Sequence, residues 1–246
     1  MQLTVINSGS TGNGYVLSNG TEALVLECGV PRQECLAALG WRTSHVAGCL
    51  LTHEHGDHAK YLSDYIEMMP VYASQGTACA LATKSGKRQI SVLEPLKQVR
   101  IGGFVVRPIP AEHDAAEPFA YVIDHEEIGR LLFATDTSYL RYRIPNMTNI
   151  MIECNYSLPL LNKNVEAGII PASLRDRTMR SHMSLEHLLQ MLASNDLTQV
   201  VRIVLIHLSA RNSQIDEFCR NVIAETGKCT VVAQKGLKIE INKTPF

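Results

Sequence analysis

The chain has 246 residues, of which 46% are hydrophobic and 19% are charged, and its formal net charge is −1. This is enough material to bury a full core, and we expect one domain over residues 1–246. The balanced charge neither favours nor excludes a polyanionic partner. No segment approaches the roughly 20 uninterrupted apolar residues that a membrane-spanning helix needs, so we expect no membrane insertion.

The seven cysteines are scattered along the chain and form no CxxC pair. An odd number of unpaired thiols suits a reducing compartment. The first residues, MQLTVINSGS, lack the charged region and long apolar run of a secretory signal. These features together predict a cytoplasmic protein.

Short apolar or β-branched runs recur along the whole chain and alternate with segments of helical periodicity. The predicted strands are, in chain order, LTVIN, YVLS, EALVLE, HVAGCLLT, FVVRPI, FAYVID, RLLFAT, NIMIE and VVRIVLIH. The predicted helices cover residues 31–39, 58–68, 75–83, 184–194 and 211–225. Because strands occur in both halves and are interleaved with helices, they predict an α+β fold: two sheets packed face to face with helices outside, a four-layer αββα sandwich.

Residues 155–182 are rich in Asn, Pro, Arg and Ser. This composition predicts a long loop near the functional site, which could act as a mobile lid. The helix that follows is expected to begin with Ser184 as its cap.

Four potential metal ligands lie in one short run, THEHGDH, directly after the apolar strand that ends at Leu51: His53, His55, Asp57 and His58. Imidazole and carboxylate ligands suit zinc and also manganese or iron. No cysteine pair lies nearby, so an open catalytic site is favoured over a closed structural zinc site. Glu54 is expected to point away from the ligands.

The His-x-His-x-Asp-His pattern resembles the signature of the metallo-β-lactamase superfamily, and the resemblance extends from the first strand to the last. It implies three further ligands, each after an apolar run: His113, Asp136 and His207. By the resemblance, one metal ion would be held by His53, His55 and His113, the other by Asp57, His58 and His207, and Asp136 would bridge them. A hydroxide shared by the two divalent metals would be the nucleophile. His45, His125 and His187 lie outside these motifs and are expected to be structural.

Three segments resemble the nuclease branches of the superfamily: residues 8–13, residues 181–184 and residues 207–211. The first and third resemble the YycJ/WalJ group, whose members are described as DNA exonucleases. The second also resembles a His-Ser-Thr element of transfer-RNA 3′-processing enzymes. The resemblance therefore implies a phosphodiesterase with DNA as its partner.

The candidate catalytic residues are Asp57, His182 and Glu153. His182 would contact the scissile phosphate or protonate a leaving oxygen, and Glu153 would orient His182 as a charge partner.

The candidate substrate-binding residues are Ser10, Asn13, Ser184 and Arg211. The small-residue loop would let a phosphate backbone approach, the helix starting near Ser184 would offer N–H groups, and Arg211 would bind phosphate.

Aromatic and basic side chains also alternate near Asp136. Tyr139 and Tyr142 are interleaved with Arg141 and Arg143, and Tyr156 follows Glu153. These tyrosines could line a cleft and stack on bases, or could simply pack between layers.

One spacing and the chain length narrow the choice of substrate. The 23-residue step from His113 to Asp136 is too short for the flexible arm of transfer-RNA 3′-processing enzymes, and 246 residues leave no room for a β-CASP cap domain. Two alternatives remain open: a hydrolase for a cyclic phosphodiester, lactone or other small ester, and a non-catalytic metal-binding regulatory protein. A basic open channel would indicate a nuclease, whereas an enclosed pocket would indicate a small substrate. Either a monomer or a homodimer is compatible with the sequence.

Overall fold

The computed structural model describes residues 1–83 and 89–244. The predicted domain range of 1–246 therefore includes residues 84–88 and 245–246, which lie outside the described part of the chain. Within that part, fourteen strands form two seven-stranded sheets.

The first sheet is built mainly from the N-terminal half of the chain. Its strands are β1 (Gln2–Asn7), β2 (Gly14–Ser18), β3 (Ala23–Leu26), β4 (Val46–Leu50), β5 (Val71–Ala73), β6 (Ser91–Val92) and β14 (Lys238–Glu240), in the order β14-β1-β2-β3-β4-β5-β6. Pairing is antiparallel from β14 to β3 and parallel from β3 to β6.

The second sheet repeats this plan in the C-terminal half. Its strands are β7 (Val99–Ile101), β8 (Phe104–Pro110), β9 (Phe119–His125), β10 (Gly129–Ala134), β11 (Asn149–Glu153), β12 (Arg202–Ile206) and β13 (Cys229–Val232), in the order β13-β12-β11-β10-β9-β8-β7. Pairing is antiparallel from β7 to β10 and parallel from β10 to β13.

Among residues 1–83 and 89–244, eight helices accompany the two sheets: α1 (Arg32–Ala38), α2 (Gly56–Ala59), α3 (Leu62–Met68), α4 (Gln75–Ala80), α5 (Leu158–Glu166), α6 (Ala172–Ser181), α7 (Leu185–Ala193) and α8 (Ile215–Thr226). In the part of the chain that the structure describes, none is both long and apolar enough to span a membrane.

Three apolar clusters account for the layers. The central cluster contains side chains from both sheets, such as Leu24 of β3 and Phe133 of β10, so it lies between them. Val25, the next residue along β3, belongs to a second cluster with Leu62 of α3. A third cluster joins the second sheet to α7 and α8 through residues such as Phe218. β3 is buried on both faces, and β10 of the second sheet contributes Phe133 to the central cluster and Leu132 to the third. Each sheet is therefore an inner layer, and the predicted αββα sandwich is confirmed.

The predicted helices are found, with two differences. The helix predicted over 211–225 begins only at Ile215. The helix predicted over 58–68 is two short helices, α2 and α3, because the backbone N–H of Tyr61 donates to Cys28 O and not into a helix. Ser184 caps α7 as expected, since its side chain accepts a hydrogen bond from the His187 N–H.

The prediction of a long loop over 155–182 is wrong. This segment contains α5, with 9 residues, and α6, with 10, so 19 of its residues are helical. Each helix starts at a proline: Pro159 lies in the first turn of α5, and Pro171 is the residue before α6. Proline is favoured at helix starts because the N–H that it lacks has no helical partner there. The segment therefore forms a pair of helices beside the site.

Candidate metal centre

The candidate site lies where the strands of both sheets end. The THEHGDH run follows β4, Asp136 follows β10, and His207 follows β12. His113 comes shortly after β8. Residues that leave neighbouring parallel strands at their carboxyl ends meet at one edge of a sheet, and here two such edges face each other.

Three buried residues at this edge have left-handed backbone conformations that residues other than glycine rarely adopt. The φ angles are 67° at Glu27, 45° at Asp136 and 54° at His207, and each residue lies just past the end of a strand. Such a conformation costs about 1–3 kcal/mol and persists where the surrounding structure fixes it. The fold thus turns these three side chains out of their strands at a cost in stability.

All seven predicted ligands are brought together by the structure. The nearest ligand atoms of His53, His55 and His113 lie within 4.8 Å of one another. A second group with the same limit consists of Asp57, His58, Asp136 and His207.

Asp136 lies between the two groups. Its Oδ1 is 3.2 Å from His58 Nε2, and its Oδ2 is 3.7 Å from His113 Nε2. The arrangement is compatible with a dinuclear metal site in which this carboxylate is shared.

Neighbouring atoms engage one ring nitrogen of several histidines, and at His113 and His58 the other nitrogen faces further residues of the ligand groups. Thr52 Oγ1 is 3.0 Å from His53 Nδ1, and Ser181 O accepts from His113 Nδ1 at 2.6 Å. A third contact places Glu27 Oε2 3.5 Å from His58 Nδ1. Contacts of this kind orient the rings of metal-binding histidines and set which nitrogen is available.

Buried His53 Nε2 has no hydrogen-bond partner in the described part of the chain. Burial, together with His58, lowers the pKa of His53 well below its usual value, so the ring is neutral and carries a free lone pair. At His207, burial lowers the pKa, but Asp136 and Asp57 more than reverse this effect. The neutral His53 ring can donate a lone pair to a metal ion, and the carboxylates around His207 stabilise a nearby positive charge. Both features are those expected of a site for a divalent cation.

Partly buried His182 and fully buried Glu153 form a pair beside both ligand groups. Glu153 Oε1 accepts from His182 Nδ1 at 2.6 Å and lies 3.0 Å from His207 Nδ1. Burial would raise the pKa of Glu153, but His182 and His207 hold it below its usual value. Although Glu153 and His182 form a third potential ligand group with Asp136 and His207, Glu153 Oε2 already accepts from the Thr137 and Met183 N–H groups. Glu153 therefore holds two histidines in place.

The candidate metal site lies in the wall of a cleft of about 330 Å³. Its walls include Ser10, Ser209 and Asn212, together with Arg177 from α6. The Arg177 guanidinium is paired with Asp114 at 2.9 Å. The cleft thus has one arginine, and that charge is partly neutralised.

The four candidate substrate-binding residues are placed differently from one another. Ser10 lines the cleft. Asn13 is fully buried, with Nδ2 3.1 Å from His58 Nε2, and buried Ser184 uses its hydroxyl to cap α7. Arg211 is exposed and is not part of the cleft wall, which its neighbour Asn212 lines. Of the four, the structure brings only Ser10 to the cleft.

Glu27 was not predicted from the sequence. Its carboxylate is fully buried, and burial raises its pKa although His58 opposes the shift. The available signal was an acidic residue that directly ends the apolar run ALVL. Glu54 points away from the ligands as expected, because its Oε1 accepts from the Ala116 N–H at 2.7 Å.

The sequence profile described as "Beta-lactamase superfamily domain" matches residues 30–208 of the chain. The chain belongs to this superfamily. It is a metallo-β-lactamase-fold hydrolase with a candidate dinuclear metal site, as the THEHGDH run predicted.

Within the superfamily, the chain is similar to "Exodeoxyribonuclease YycJ" of Bacillus anthracis, with 26% identity over 97% of this chain and 92% of the relative. It is also similar to "Exodeoxyribonuclease WalJ" of Streptococcus pneumoniae, with 24% identity over 85% of this chain and 82% of the relative. The predicted resemblance to this group is confirmed. Among solved structures, the metallo-beta-lactamase fold protein YhfI of Bacillus subtilis superposes with a TM-score of 0.76 at 16% identity, covering 97% of this chain and 98% of YhfI. That likeness supports the fold alone.

Proposed function

We propose that the protein is a dinuclear metal-dependent phosphodiesterase that removes nucleotides from the ends of DNA. The observation that carries the proposal is the His182–Glu153 pair, which lies beside both ligand groups without being needed to complete either, and whose histidine lines the same cleft. A metal site with a purely structural or regulatory role has no use for such a pair. Similarity to two exodeoxyribonucleases supports DNA as the substrate.

In this proposal, His53, His55 and His113 would hold one divalent cation, Asp57, His58 and His207 would hold the other, and Asp136, between the two groups, would serve both. Zinc is the expected metal, and manganese or iron would also accept this donor set. When bound, such cations would lower the pKa of the attacking water toward about 7 and would neutralise charge on the attacked phosphate.

His182 supplies the proton for the leaving group. Hydrolysis forms a bond from a water oxygen to phosphorus and breaks the bond to the leaving oxygen, which must gain a proton. Since Glu153 accepts from Nδ1, the other ring nitrogen of His182 is the one that donates. Glu153 is a positioning residue, because it acts through His182 and His207.

A second candidate is a hydrolase for small esters or cyclic phosphodiesters. The observation that favours it is the cleft itself, with its volume of about 330 Å³ and its one, already paired, arginine. A cytoplasmic setting is part of either proposal, because all seven cysteines are free thiols.

The test is metal-dependent cleavage of end-labelled single-stranded and double-stranded DNA, with manganese or zinc added. We expect stepwise release of nucleotides that Asp57→Ala and His182→Ala abolish or strongly reduce. His45→Ala is the matched control, because His45 lies outside the cleft wall. A folded, metal-loaded protein that hydrolyses small esters but releases no nucleotide would contradict the DNA assignment and support the second candidate.

A further inference from the structure

A second, smaller pocket of about 230 Å³ lies between α7 and the loop that follows Asp136. Its walls include two tyrosines, two arginines, a histidine and a glutamine: Tyr139, Tyr142, Arg141, Arg143, His187 and Gln190. None of the residues that line it is acidic. Polar, basic and aromatic groups thus meet in a concave surface outside the metal centre.

The pocket is close to the metal centre along the chain. Tyr139 is three residues after Asp136, so their Cα atoms are at most roughly 11 Å apart. The loop between them is held to the strand end that carries His113, because the Ser138 N–H donates to Glu112 O and the Glu112 N–H donates to Thr137 Oγ1. The two sites are therefore neighbours on a fixed frame.

The side chains in the pocket differ in availability. Tyr139 is 56% exposed, whereas Tyr142 packs against the outer core of the second sheet. Arg141 is paired with Glu112 Oε1 at 2.7 Å. Arg143 is exposed, and its guanidinium makes no hydrogen bond or ion pair with the described residues. One exposed ring and one uncommitted guanidinium are thus available to a ligand.

We propose that this pocket binds a nucleotide of a single DNA strand whose end lies in the metal cleft, with its base against Tyr139 and its phosphate at Arg143. This inference rests on the proposed exonuclease function. Proteins that hold single strands combine stacking aromatic rings with basic groups along the backbone. A DNA strand advances by at least about 3.4 Å per nucleotide. The distance of at most roughly 11 Å between the Cα atoms of Asp136 and Tyr139 therefore corresponds to about one to three nucleotides. The pocket supplies the basic and aromatic surface that the cleft lacks.

The experiment compares a small ester, bis(4-nitrophenyl) phosphate, with a single-stranded 12-nucleotide DNA. The variants are Tyr139→Leu, Tyr139→Phe and Arg143→Gln, and the matched control is Arg220→Gln on the surface of α8. We expect Tyr139→Leu to raise the KM for DNA roughly 10-fold. Tyr139→Phe keeps the aromatic face for stacking, so its KM for DNA should match that of the wild type. The small ester is too short to reach the pocket, so its turnover should not change.

Arg143→Gln has a distinct signature. Removing one phosphate contact should flatten the plot of log affinity against log salt concentration by about 0.7, whereas a purely structural role would leave this slope unchanged. If the protein degrades DNA and both Tyr139→Leu and Arg143→Gln match the wild type, the pocket assignment is wrong and the exonuclease proposal stands. If the wild type hydrolyses the small ester but neither binds nor degrades DNA, both proposals are overturned.

Discussion

Glu27 Oε2 lies 3.5 Å from His58 Nδ1, and both side chains are fully buried. The contact leaves His58 Nε2 facing Asp136 at 3.2 Å. A carboxylate behind a metal-binding histidine orients the ring and increases its basicity. Glu27 therefore supports the second ligand group from a different strand end.

Glu27→Gln should lower metal affinity about 10- to 100-fold, because the amide keeps the shape of the side chain but loses its charge. Affinity can be measured by competition with a coloured chelator. Glu54→Gln is the control, since Glu54 lies within the ligand run but contacts Ala116. Equal metal affinity in the two variants would show that Glu27 has only a packing role.

Protonation by His182 predicts a dependence on the leaving group. His182→Ala should reduce kcat for a DNA or alkyl phosphodiester about 10²- to 10⁴-fold. The loss should be much smaller for a 4-nitrophenyl ester, because that leaving group departs without a proton. The measurement is kcat for both substrates with saturating metal, and an equal loss on both would exclude the role of proton donor.

Metal removal should destabilise the fold as well as stop catalysis. The ligands come from both sheets, so bound cations would stabilise the folded state. The free energy of unfolding would rise by about 2.7 kcal/mol when the metal concentration is 100-fold above its Kd. Chelation should then lower the Tm by roughly 5–10 °C, and added zinc should reverse it. Asp57→Ala should show a clearly smaller shift in calorimetry. A Tm that is indifferent to chelator in a metal-loaded sample would contradict coupling between metal and fold.

Ser184 offers a test between a cap and a substrate contact. Because its hydroxyl accepts from the His187 N–H, Ser184→Ala should lower the free energy of unfolding by about 1 kcal/mol. Ser184→Thr should retain most of that stability. Urea unfolding and the KM for DNA should be measured on the same samples. A raised KM with unchanged stability would instead support the contact to substrate that the sequence suggested.

Stability should also depend on pH through Glu22, which joins the two sheets. Its carboxylate lies 3.0 Å from His125 Nε2 and accepts from the Gly103 N–H at 2.8 Å. Burial raises the pKa of Glu22, but these two hydrogen bonds outweigh it and leave the pKa below its usual value. Its contribution is therefore present above the unfolded pKa of about 4.3 and is lost as pH falls through the lower folded pKa.

Glu22→Gln should accordingly lower the free energy of unfolding by about 1 kcal/mol at pH 7 and flatten its decline below pH ~4.5. Chemical unfolding at several pH values checks this, with the exposed Glu126→Gln as the control. If the free energy of unfolding of the wild type and of Glu22→Gln fell in parallel as the pH is lowered, Glu22 would not contribute to the pH dependence of stability.

The ligand run could be predicted because its chemistry is local: His53, His55, Asp57 and His58 are adjacent in sequence and follow an apolar strand. The layers could be predicted because both halves alternate strands with helices. The later ligands needed the family resemblance, since nothing local distinguishes His113 or His207 from a histidine in the core.

Other features depend on contacts that no sequence pattern encodes. Prolines at 159 and 171 indicated a loop, whereas in the structure they start helices. Arg211 follows an apolar strand in the sequence, but it is exposed and is not part of the cleft wall, which its neighbour Asn212 lines. The role of Glu27 arises only when β3 and β4 pair in parallel and bring their ends together.

The division of the ligands between the two halves of the chain fixes the order in which they become available during synthesis. The group of His53, His55 and His113 is complete once residue 113 has been added. The group of Asp57, His58, Asp136 and His207 is complete only after a further 94 residues, when His207 has been added. A nascent chain can therefore offer three candidate ligands for one ion well before the second set exists.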